Sequence, residues 1–157
     1  MENLDLLRVD DRLIHGQVMT AWLKTIPAKE IMVIDDQVAK DEFMRTVIMM
    51  SAPSGVVVSV NSIDEAMQRF SAGLKQSTFA LVKTPLTIKT MADKGAKFEA
   101  VNIGGLGMAP GRKPLFKNIS ASEEERQALR ELIDKGVNVK IQIIPAEKIT
   151  DVASLLK

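Results

Sequence analysis

Asp10, Asp11, Arg12 and His15 fall within the stretch "VDDRLIHGQV" (9–18), and His15 is the only histidine among 157 residues. A neutral imidazole is a nucleophile, a carboxylate can hold its second nitrogen in one tautomer, and a guanidinium offers forked donors to phosphoryl oxygens. Asp10 or Asp11 could hold either the ring or Arg12. If a helix begins at His15, its free N–H groups and positive dipole end disfavour imidazolium and favour a bound phosphate. Gly16 would let the backbone approach closely at that helix start. The plainer reading is a surface or capping histidine among solvated charges. One histidine and no cysteine remove multi-histidine zinc sites, the two-His facial triad, thiolate catalysis and Cys-based metal centres. A serine triad would have to recruit His15, and no G-x-S-x-G elbow is present.

Two further loops carry candidate groups. "NIGGLGMAPGRKP" (102–114) contains Gly105-x-Gly107, but the next glycine is Gly111, so the spacing is wrong for a dinucleotide fingerprint; no Walker-type loop occurs. Arg112 and Lys113 could close over an anion or stand solvated on a surface loop. In "IDDQVAKDE" (34–42), Asp35 and Asp36 could bind a cation, although capping the next helix is the preferred reading. The methionine-rich "FMRTVIMM" (43–50) reads as a buried helix face, and Trp22 as core or interface packing.

The elements that must position these groups follow a clear rhythm. Strands are expected at 4–9, 31–35, 56–60, 79–83, 100–104 and 137–145, the last as an edge or half-exposed strand. Helices are expected at 15–24, 40–52, 61–73, 85–95, 122–136 and 147–156, with a Gly/Pro-rich loop running through 114–120. Ser62 followed by Glu65 signals a capping box, Gly73 a terminator, and Pro85 a helix start. Val/Ile-rich strands alternating with helices imply one α/β domain over 1–157, an open, mainly parallel sheet with helices on both faces. Sites in such sheets lie at the carboxyl ends of strands where the order reverses. That rule places the His15 loop, after the first strand, at the head of the search. The formal charge of +1 argues against a nucleic-acid or anionic-lipid surface, and no apolar run suffices for a membrane span or signal peptide.

"RVDDRLIHGQV" (8–18) resembles the signature of the IIB component of mannose/fructose/sorbose-type sugar phosphotransferase systems. The likeness continues through "VIDDQVAKDEFMR", "MMSAPSGV", "LVKTP", "VNIGGLG", "GRKPLFKNISASEEE" and "LIDKGVNVKIQIIP". It implies that His15 is the phosphorylated residue and that Arg12 assists transfer, with Asp10 as orienter. Loop contacts are expected from Asp11, Gly16, Gln17, Gly104, Gly105 and Arg112. The implied relay takes a phosphoryl group from a phosphohistidine on a IIA component to His15, then to a sugar held by membrane components IIC and IID. No metal or cofactor is required, and the location would be cytoplasmic, peripheral to the transporter. His15 should lie exposed on a shallow apolar surface, and Trp22 and the methionines could serve the IIA contact, a homodimer or the core. A non-catalytic module that keeps the fold is the competing class; the intact motif favours the carrier.

Overall fold

The computed structural model describes residues 1–156, apart from the side chain of Gln17. Along the chain run β1 (Leu4–Asp10), α1 (Gly16–Thr25), β2 (Glu30–Ile34), α2 (Asp36–Lys40), α3 (Glu42–Met50), β3 (Val57–Asn61), α4 (Ile63–Ala72) and β4 (Thr78–Val82). There follow α5 (Pro85–Asp93), β5 (Ala100–Gly105), β6 (Lys113–Phe116), β7 (Ile119–Ala121), α6 (Glu123–Asp134), β8 (Asn138–Ile141), β9 (Thr150–Asp151) and a 3-10 turn (Val152–Leu155). Seven strands form one sheet in the order β3-β2-β4-β1-β5-β8-β9, parallel except for β9. The α/β expectation holds.

Side-chain alternation divides the sheet between two cores. Leu7, Val9, Met32, Ile34, Ala80 and Val82 pack on the face covered by α4, α5 and α6. Ile31, Val33, Phe79 and Leu81 face α1, α2 and α3, where Met19, Trp22, Val38 and Ile48 meet them. Strands β2 and β4 are buried throughout, as a sheet covered on both faces requires. β1 lies centrally. Its connection leaves toward β2 while that of β5 leaves toward β8, so the order reverses between β1 and β5. A register shift between Val9 and Asp10 sets Asp10 opposite Gly105, the kind of irregularity that re-aims side chains beside sites.

Local signals held where the chemistry was short-range. Ser62 and Glu65 make the reciprocal capping box, Gly73 ends α4 at φ 88°, and Pro85 opens α5 behind Thr84. Ser122 and Glu125 form a second box at α6. Asp35 caps α2 by accepting from the Val38 N–H, and Asp36 accepts from the Ile63 N–H.

Other expectations are corrected. The helix read over 40–52 is α3, which starts only at Glu42 because Asp41 adopts extended backbone and accepts from the Met44 N–H as its cap; an unexpected short helix, α2, precedes it. Of 43–50, only Ile48 is buried; Phe43 and Met50 are 75% and 80% exposed, so this is an open apolar face. The loop through 114–120 contains an antiparallel hairpin, β6–β7. The strand read over 137–145 ends at Ile141, and its edge is covered by β9. That pairing, with the 3-10 turn, replaces the helix read over 147–156.

Candidate functional site

β1 delivers Asp10 at its carboxyl end, fully buried, and the chain then turns sharply toward α1. Leu13 makes that turn at φ 57°, with its N–H donating to the Asp10 carbonyl and its side chain buried as an anchor. His15 follows as the extended N-cap of α1; its carbonyl accepts from the Met19 N–H while its ring makes no cap bond. The ring is free for another partner.

That partner is Asp10. His15 Nε2 lies 2.8 Å from Asp10 Oδ2, and the histidine side chain is 24% exposed. An ionised carboxylate only accepts, so the hydrogen sits on Nε2. Among the described residues Nδ1 has no hydrogen-bond partner, and its lone pair is available. Asp10 also accepts from the Arg12 backbone N–H and Nε, each at 3.1 Å, and from Arg12 Nη2 at 3.3 Å. Of the two candidate carboxylates, Asp10 therefore holds both the ring and Arg12. The Arg12 side chain remains 52% exposed.

A second guanidinium lies beneath. Arg8 is fully buried and donates to Asp10 Oδ2 (3.2 Å), Asn102 Oδ1 (2.7 Å) and the carbonyls of Gln142 (3.1 Å) and Ile143 (3.0 Å). Trp22 packs 5.4 Å from its Cζ and donates Nε1–H to the same Ile143 carbonyl. Burial pushes the Asp10 carboxyl upward, but hydrogen bonds from Arg12 and His15 and the charge of Arg8 outweigh it, leaving the pKa below the ordinary range. Burial lowers the Arg8 pKa, opposed by Asp10.

The glycine pair makes room for this cluster. A Cβ on Gly104 would overlap the Arg8 guanidinium, and one on Gly105 would lie 2.5 Å from Asp10 Oδ1 and 3.0 Å from Arg12 Nη2. Both expected loop positions thus support the charges from below. At Gly16 a Cβ would meet only open space, and the φ of 28° is a conformation that favours glycine. The Gln17 side chain lies outside the described residues.

Asp11 turns away from the ring and accepts from the Gly107 N–H and Arg112 Nη1, both at 2.9 Å. Arg112 also forks onto Glu125 at 2.9 and 3.0 Å, and Glu125 accepts from Thr84 Oγ1. Arg112 is thus not a solvated loop residue: it ties the 105–112 loop to the His15 loop and to α6. Sequence reasoning missed Arg8, Asn102 and Glu125. Only Arg8 left a signal, as a cation within the apolar run Leu6–Val9 that leads to Asp10.

Residues 4–157 match the family model described as "PTS system sorbose subfamily IIB component". The chain belongs to that family. The sorbose-specific EIIB component of Klebsiella pneumoniae is 36% identical over 146 residues, covering 92% of this chain and 89% of that protein. The fructose-specific EIIB component of Bacillus subtilis (strain 168) is 32% identical over 159 residues, covering 100% and 98%. The crystal structure of the IIBSor domain of the K. pneumoniae sorbose permease superposes with a TM-score of 0.91 at 34% identity, covering 98% of this chain and 95% of that one. As a IIB component the chain is a phosphotransferase-system transferase: such components take phosphate from IIA and pass it to sugar by way of IIC and IID.

Proposed function

We propose that His15 is the phosphoryl acceptor and donor of this IIB component and that Nδ1 is the reacting nitrogen. The observation that carries this reading is the 2.8 Å contact between Nε2 and Asp10, which puts the ring hydrogen on Nε2 and the lone pair on Nδ1, a nitrogen without a partner among the described residues. In the first step the donor's N–P bond on IIA breaks as the Nδ1–P bond forms, and the donor nitrogen keeps the bonding pair. In the second a sugar hydroxyl oxygen bonds to phosphorus as its proton passes to a base beside the bound sugar, and the Nδ1–P bonding pair returns to the ring. A loose, metaphosphate-like transition state asks for alignment and charge stabilisation. Asp10 aligns the ring, and the exposed guanidinium of Arg12 covers equatorial oxygens. The chain then serves as one domain, peripheral to the IIC/IID transporter on the cytoplasmic side; no described helix is long and apolar enough to cross a membrane.

The test is incubation with phosphoenolpyruvate, the general relay proteins and a IIA component. Acid-labile, base-stable phosphate should appear on the wild type and be absent from His15→Ala. Nitrogen-15 spectra should place it on Nδ1. Labelling of His15→Ala, or a phosphoryl group on Nε2, would overturn the assignment.

A further inference from the structure

Two arginines share one carboxylate at this site, and they are built for different work. Arg8 has no exposure, four hydrogen bonds to fixed partners, Trp22 against its guanidinium and Gly104 clearing its space. Three of those acceptors are Asn102 and the carbonyls of Gln142 and Ile143, remote in sequence and held by the sheet and the segment just after β8. Arg12 has its Asp10 contacts and an otherwise open side chain.

Resting on the reading of His15 as acceptor, we propose that Arg8 is a positioning residue for phosphoryl transfer: it is the permanent counter-ion of Asp10 and so releases Arg12 to follow the phosphoryl group. Asp10 is fully buried, and a buried carboxylate stripped of its cations is strongly disfavoured. When a dianionic phosphoryl group reaches His15, Arg12 swings from Asp10 to its oxygens. Asp10 keeps Arg8 and the Nε2–H of His15, so its charge stays compensated and the ring stays aligned. Without Arg8 the carboxylate would retain Arg12, and the phosphoryl group would lose its mobile cation.

Two measurements test this. In the wild type, side-chain NMR before and after phosphorylation should show the Arg12 Nε–H leaving its Asp10 bond while the Arg8 guanidinium protons remain slowly exchanging. An unmoved Arg12 signal, or loss of Arg8 protection, overturns the proposal and needs no variant to fold. The second compares transfer rates from phospho-IIA for Arg8→Met, Arg12→Ala and the double variant, with folding checked by amide spectra. Arg8→Met and Arg12→Ala should each slow transfer by roughly tenfold or more, and the double variant should be little slower than either, because both changes remove one mobile cation. Arg8→Lys should recover part of the rate. Folded Arg8→Met with unchanged transfer, or losses that multiply in the double variant, refutes the role. Failure of the acceptor assignment would appear separately, as absence of label on wild-type His15.

Discussion

Gly104→Ala adds one methyl group to the chain and places it inside the guanidinium of Arg8. Such an overlap is ordinarily cheap when a flexible side chain can swing aside. Arg8 cannot, because it has no exposure and is tied to Asp10, Asn102, Gln142 and Ile143. Each hydrogen bond to a charged group contributes about 1.5–3 kcal/mol, and breaking a buried ion pair costs about 3–5 kcal/mol. With partial relaxation the expected loss is about 3–5 kcal/mol, out of a total stability of about 5–15 kcal/mol. At this chain length that lowers the melting temperature by about 6–20 °C. Urea titration can be followed through Trp22, the only tryptophan, whose ring packs on Arg8. Gly107→Ala is the control: its Cβ would meet only Asp11 Oδ2, at 3.8 Å, and should change stability by less than about 1 kcal/mol. Equal stabilities for the two variants would falsify the argument that Gly104 exists to seat the guanidinium.

Asp10→Asn keeps the shape but removes the charge facing Arg8, Arg12 and His15; about 3–5 kcal/mol of stability and roughly tenfold to hundredfold in transfer rate should be lost, read by urea titration and phosphoryl transfer from IIA. The carboxyls of Asp10, Glu30 and Glu125 are each pushed up by burial but held below their ordinary range by Arg12 with His15, by Arg69, and by Arg112 respectively. The unfolded chain therefore binds more protons in acid. Their stabilisation is complete above about pH 4–5 and disappears as pH falls through the folded values, so unfolding free energy should drop steadily below pH 5; a flat profile from pH 6 to 3 contradicts the assignment. Arg112→Ala leaves Glu125 and Asp11 without their shared cation and should cost about 2–4 kcal/mol, with faster hydrogen exchange at the Gly107 amide. Unchanged exchange there would show that the 105–112 loop does not depend on this tie.

The fold was legible wherever its cause lay within a few residues. Strand positions followed from Val/Ile runs, and α4 and α5 from Ser62–Glu65, Gly73 and Pro85. The short helix α2 was missed because its five residues, ended by the extended backbone at Asp41, hold too little periodicity to stand apart from a capping loop. Exposure of Phe43 and Met50 was misread for a related reason: periodicity marks an apolar face but not what covers it. The tail failed because the six residues forming β9 and its 3-10 turn take their conformation from β8 and the core, not from their own propensity.

By itself the sequence determined that one histidine, with two aspartates and an arginine, stands after the first strand of a parallel α/β sheet. It did so because strand patterning, turn residues and motif spacing act over short distances. Only the tertiary structure decided that Asp10, not Asp11, holds the ring, that Nδ1 has no partner among the described residues, and that Arg112 is a tie. It alone revealed Arg8, whose partners lie 94 residues away at Asn102 and 134 away at Gln142. A buried charge is defined by the groups that replace its water, and those groups meet only when the sheet closes.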